Sequence, residues 1–134
     1  MTIQSIINSI FRQDFKNTLV LGRVLFGIAM LFLGLLNLFN ISSFAGYAPD
    51  YLPVPTLLVT GVGVILTLLG FAIFANLHTE KAAKGLGLLF LAFILIVNLP
   101  QGNMLELSQN VAFFGAALLI ATITKEGKNG AKTE

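Results

Sequence analysis

Five polar side chains stand in strongly apolar surroundings: Arg23, Asn37, Asn98, Gln109 and Asn110. Arg23 lies near the start of "VLGRVLFGIAMLFLGLLNLFN", the run from Val20 to Asn40 that carries amides at its far end. An arginine in such a place offers a planar cationic fork, suited to a carboxylate, a phosphate headgroup or a quinone carbonyl. The amides offer neutral donors and acceptors, suited to bridging helices or to holding an uncharged polar ligand. Both kinds of group are costly in hydrocarbon, so each must reach a surface or find a partner.

The residue types that are missing bound the chemistry further. There is no cysteine, and His78 is the only histidine. A thiol–disulfide relay, a cysteine-ligated iron–sulfur cluster and a bis-histidine haem are therefore excluded within one chain, and a zinc site fits poorly, so no metal ligands are expected. No ionisable residue falls near the middle of an apolar run, where Thr67 is the most polar group. That weighs against a proton-coupled exporter, which needs an embedded carboxylate or histidine. No catalytic residue is expected, and the chain reads as no enzyme on its own. Any electron chemistry would belong to a bound cofactor or to a partner.

The elements that position these residues follow from composition. Of 134 residues, 56% are hydrophobic and only 10% charged, and the mean hydropathy is +0.89. A soluble domain carries roughly 25% charged residues, so this chain is expected to be an integral membrane protein. Four apolar runs, about 18–40, 55–76, 81–99 and 104–124, approach the roughly 20 residues that cross ~30 Å of hydrocarbon. The fold class expected is an all-α membrane protein, a four-transmembrane-helix bundle.

Charge placement orients the bundle. Arg12, Lys16 and Arg23, then Lys81 and Lys84, then Lys125, Lys128 and Lys132 all fall on one side of a four-span topology. The opposite loops hold Asp50 and Glu106 and no basic residue. The positive-inside rule then predicts a multi-pass protein of the cell (inner or plasma) membrane with both termini cytoplasmic. Residues 1–17 lack a secretory signal and are expected to stay in the mature protein. Ile3, Ile6, Ile7, Ile10 and Phe11 follow helical spacing there, which predicts an amphipathic helix on the cytoplasmic interface. It would serve as an anchor or as a docking surface for a partner. Residues 125–134 read as a flexible cytoplasmic tail. In the outer loop, Phe44, Tyr47 and Tyr51 suit a headgroup layer, and a short interfacial helix is expected over residues 42–47.

Glycines recur at helical spacing within the runs. Gly27 and Gly34, and likewise Gly63 and Gly70, lie seven residues apart on one stripe of their helices. With Gly115 they are expected to let helices approach closely. "GVG" and "GLG" are not phosphate loops, because no strand precedes them. Two readings of the polar residues stand side by side. Arg23, some 7 Å below the surface at 1.5 Å per residue, either snorkels to lipid phosphates or turns inward toward Thr122, Thr124 or the end of span two near Asn76. Asn37, Asn98, Gln109 and Asn110 fall at one depth and would either bond across helices or form the mouth of a small-molecule pocket.

The order of these segments resembles the DoxX family. "RVLFGIAMLFLGLLNLF", the loop "YLPVP" with "VTGVGVILTLLGFAIFANLHTEKAAKGLGLLF", and "VNLPQG" with "LSQNVAFFGAALLIATITKEG" are similar to that family's four helices over residues 18–127. The resemblance implies a bacterial or archaeal membrane protein that serves as an accessory or assembly subunit of an oxidoreductase, some relatives being linked with quinone-reducing or oxidative-stress assemblies. It thereby implies a bound quinone or lipid between the helices and a membrane or cytoplasmic oxidoreductase subunit as partner. A homo-oligomer is a further option, and no nucleic-acid partner is expected. Where many members have lysine, glutamate and histidine, this chain has Asn37, Val64 or a neighbouring apolar residue, and Asn98, so no titrating residue carries over at these positions. A function of a different class, a carrier for a small neutral or amphipathic solute lined by Arg23 and the amides, is the alternative.

Overall fold

The computed structural model describes residues 2–133, with residues 11, 13–15 and 126–133 described by their backbone alone. Phe11, counted above in the apolar face, is therefore outside the described side chains. Six α-helices make up the chain: α1 (Ile3–Phe39), α2 (Ile41–Gly46), α3 (Pro55–Phe74), α4 (Thr79–Phe93), α5 (Leu99–Gln101) and α6 (Met104–Thr133). A π-helical turn, Ile94–Asn98, joins α4 to α5. Four stretches are long and apolar enough to cross a membrane: Lys16–Phe39, Pro55–Phe74, Thr79–Gln101 and Met104–Lys125. These coincide with the four expected runs to within a few residues.

Helix α1 starts at a capped end, where the Ser5 N–H donates to Thr2 Oγ1 at 3.2 Å. It then runs 37 residues without interruption, about 55 Å at 1.5 Å per residue. No proline or glycine lies between Ile3 and Lys16 to stop it, so residue 17 marks no break and the N-terminal segment extends the first span. Ile3, Ile6, Ile7 and Ile10 are exposed along that extension. At the other terminus α6 carries its helical backbone past Thr124 to Thr133.

The buried positions explain how the helices meet. In α3 they are Gly63, Leu66, Gly70 and Ile73; in α4 they are Thr79, Ala82, Ala83, Leu86, Gly87 and Phe90. Both series follow the i, i+3, i+7 spacing of one helical face. The closest packing joins α1 to α3 and α4 to α6, and the two pairs meet through α3 and α4. A Cβ on Gly27 would lie 2.6 Å from the Phe74 backbone nitrogen, and one on Gly70 would lie 2.5 Å from that of Leu31. A Cβ on Gly34 would meet the Thr67 backbone nitrogen at 2.5 Å, and one on Gly63 the Leu38 side chain at 2.9 Å. Only a missing side chain allows backbones this near to each other.

Gly115 departs from the expectation that it packs the bundle. Nothing lies within 4 Å of where its Cβ would stand. Helix α6 buries Ala117 and Ala121 instead, and Gly115 sits two residues from Ala117, roughly 200° around the helix.

Candidate functional site: an amide-lined cavity and an arginine groove

The polar residues gather at opposite ends of the bundle. At the end carrying residues 47–54 and 102–103, called the amide end below, an open cavity of about 730 Å³ lies among α1, α3, α4, the π-helical turn and α6. Its shape begins with Pro100. A proline has no N–H, and its ring crowds the carbonyl four residues earlier, here Ile96. The helix answers by widening: the Leu99 N–H donates to the Ile94 carbonyl, five residues back. Tyr51, from the α2–α3 connection, supplies the lost donor, its hydroxyl reaching the Ile96 oxygen at 2.6 Å. The last turn closes at Gly102, whose φ of 69° lies in the left-handed region that a residue without Cβ adopts freely.

The π-helical turn carries Asn98 into the interior, where the residue is 1% exposed. Asn110 Nδ2 donates to Asn98 Oδ1 at 2.6 Å, joining α6 to the turn. Asn98 Nδ2 has no hydrogen-bond partner among the described residues, yet no side-chain nitrogen or oxygen is both sealed from solvent and unbonded. Asn98 lines the cavity, and that nitrogen is left available to a ligand oxygen.

The four amides therefore share one cavity but form no single network. Asn37 Nδ2 donates back to the Leu33 carbonyl of its own helix at 2.8 Å. Gln109 is exposed at the cavity rim with no hydrogen bond among the described residues. Only Asn98 and Asn110 bond across helices, because only the π-helical turn brings two of these short side chains within reach.

Sequence reasoning used Glu106 only as an acidic residue of an outer loop and did not place it on this wall. Glu106, Gln109, Asn110 and Phe113 line the cavity together, and their i, i+3, i+4, i+7 spacing is the signal that could have found it. Glu106 is the only formally charged residue among the described ones that line the cavity. Deeper along the helices the walls become apolar, with Leu33, Leu66, Phe90 and Phe113. The rings of Phe90 and Phe113 stand 5.3 Å apart at a tilt of 44°.

At the other end, called the basic end, Arg23 faces inward rather than snorkelling alone. Its Nη1 donates to the carbonyls of Ile73 at 2.5 Å and Phe74 at 3.0 Å. These are the last carbonyls of α3, which have no donor inside the helix. The chain turns there through Asn76, φ 58°. Leu77 N–H donates to Ala72 O at 2.7 Å and Asn76 N–H to Ile73 O at 3.2 Å, the paired bonds of a Schellman ending. A cation at a helix C-terminus also meets the negative end of the macrodipole. Thr79, 2% exposed, locks the turn by donating to Asn76 Oδ1 at 2.6 Å. A groove of about 200 Å³ beside Arg23 is lined by Leu19, Asn76, Ile120 and Thr124 among others. Thr122 is exposed and not part of it.

Between the two ends Met30, Ile73, Leu86, Ala83 and Ala117 are buried and packed in one core. Among the described residues no group of three histidine, aspartate or glutamate side chains could hold a metal ion. The chain matches no family model, no curated protein and no solved structure.

Proposed function

We propose that this chain is a DoxX-like multi-pass protein of the cell membrane, both termini cytoplasmic, that binds an uncharged amphipathic molecule in its amide-end cavity. The reading makes it an accessory or assembly subunit of a membrane redox system, with a quinone or a neutral lipid as the bound molecule. The observation that carries the binding is Asn98, buried, bonded on one side to Asn110 and unbonded at Nδ2. That open donor faces the cavity, and a ligand carbonyl or hydroxyl accepting from it would contribute about 0.5–1.5 kcal/mol.

The surroundings select the ligand class. Glu106 brings one negative charge to the rim and no cation lines the cavity among the described residues, so an anionic head would stay uncompensated. The amides and Glu106 lie toward the helix ends, and Leu33, Leu66, Phe90 and Phe113 lie deeper, which orients an amphipath with its head outward. Binding rather than passage is favoured because the core around Met30 and Leu86 separates this cavity from the arginine groove. The orientation rests on the basic residues, which α1, the start of α4 and α6 gather at one end.

Native mass spectrometry from mild detergent, with extraction and identification of bound small molecules, tests this reading. One neutral lipid or quinone per chain is expected, lost or weakened about tenfold in Asn98→Leu. A bare folded chain, or a bound molecule indifferent to Asn98→Leu and Asn110→Leu, would sink it.

A further inference from the structure

The arginine groove differs from the cavity in a way that names a second ligand. The guanidinium of Arg23 has five N–H donors, and both of its hydrogen bonds leave from Nη1. The hydrogens on Nε and Nη2 have no partner among the described residues, and the residue is half-buried. Asn76 lines the same groove; its Oδ1 is occupied by Thr79, which leaves its Nδ2 as a donor. Thr124, also on the wall, donates its hydroxyl to Ile120 O at 2.6 Å. Among the described lining residues there is no carboxylate. Charged and amide donors thus converge on a place without a negative group, which suits a ligand rich in acceptors and negative in charge.

The walls identify what carries that charge. Leu19, Val20, Ile120 and Ile123 make up four of the seven lining residues. A hydrated small ion gains nothing from such walls, whereas an acyl chain does. The basic end also carries Lys16, Lys81 and Lys125 close by in the chain, while Lys84 is paired with Glu80 at 3.0 Å; the three lysines raise the local concentration of anionic lipid.

We infer that the groove between Leu19–Arg23 of α1 and Ile120–Thr124 of α6 is a binding site for the phosphate of an anionic membrane phospholipid, gripped by the free edge of the Arg23 guanidinium and by Asn76. Nη1 meanwhile continues to cap α3, so one side chain joins the lipid to the α3–α4 turn. This site is independent of the amide-end cavity.

The test is lipid titration of the purified chain followed by native mass spectrometry, with phosphatidylglycerol and phosphatidylcholine as probes. The first phosphatidylglycerol is expected to bind about tenfold tighter than phosphatidylcholine, because the choline cation offsets the phosphate charge and is repelled by Arg23 and the lysines at this end. Thr124→Glu places a carboxylate beside Arg23 without touching the α3 cap, and is expected to abolish the preference. Arg23→Gln is expected to do the same, and Asn98→Leu to leave it intact. Where Arg23→Gln fails to fold, Thr124→Glu decides alone. Equal binding of the two lipids, or a preference that survives Thr124→Glu, overturns the inference. So does displacement of phosphatidylglycerol by millimolar inorganic phosphate, which would mark a site for a soluble anion.

Discussion

The amide end and the basic end begin with the same problem, a polar side chain near the end of an apolar helix, and resolve it differently. Arg23 uses one nitrogen to finish α3, taking two carbonyls that the helix cannot satisfy. Asn98 uses its oxygen to hold Asn110 and keeps its nitrogen unbonded in a cavity. The backbones differ to match. Gly27 and Gly70 bring α1 and α3 together below Arg23, whereas Pro100 and the π-helical turn distort the chain beside Asn98. A polar residue marks a binding place when the fold leaves part of its hydrogen-bonding capacity unused, and burial by itself does not decide that.

The largest effect is expected from closing the gap that the basic end needs. Gly70→Val would drive a side chain into the backbone at Leu31, with no flexible neighbour able to yield. A loss of about 3 kcal/mol or more is expected, visible as failure to retain helical structure during denaturant titration in detergent. Retained stability would show that the α1–α3 contact is looser than its geometry.

Next comes the contrast between the two polar residues. Arg23→Leu should cost about 2–3 kcal/mol, because it leaves two C-terminal carbonyls of α3 without their charged donor. Asn98→Leu should cost less, about 1 kcal/mol, since interhelical hydrogen bonds in membranes are modest. Unfolding both variants under one condition would reverse the comparison if Asn98→Leu proved the more damaging.

A smaller effect is expected at the latch. Tyr51→Phe removes the hydroxyl that meets Ile96 O and should cost about 0.5–1.5 kcal/mol. The first sign would be faster hydrogen exchange near Ile94–Asn98, with the basic end unchanged. No change there would mean that water already replaces the tyrosine. Smallest of all is Gly115→Ala, which meets nothing within 4 Å and replaces a poor helix former. Stability should be unchanged or rise by up to about 1 kcal/mol.

The spans were readable before any coordinates because membrane helices announce themselves by length and apolarity. The short α2 was readable from its aromatic and small residues between two spans. The site was only partly legible. Asn37, Asn98, Gln109 and Asn110 were recognisable as one level, yet their partners were not, because an amide has equal use for its own helix and for a neighbour's. Asn37 chose its own helix. Arg23 was open between lipid and bundle for a similar reason, since a long side chain reaches either.

What this sequence determined by itself is the set of four apolar spans, the residue types absent from them, and the glycine stripes on the first and second spans. Those follow from local composition and from helical periodicity, which need no knowledge of neighbours. Only the tertiary structure decided that Arg23 caps α3, that Tyr51 replaces the donor lost at Pro100, and that Asn98 reaches Asn110 with its nitrogen still unbonded. Each of these is a match between a donor and an acceptor on segments far apart or on different helices. Such a match depends on the rotation and depth of one helix against another, which packing sets and a linear pattern does not contain.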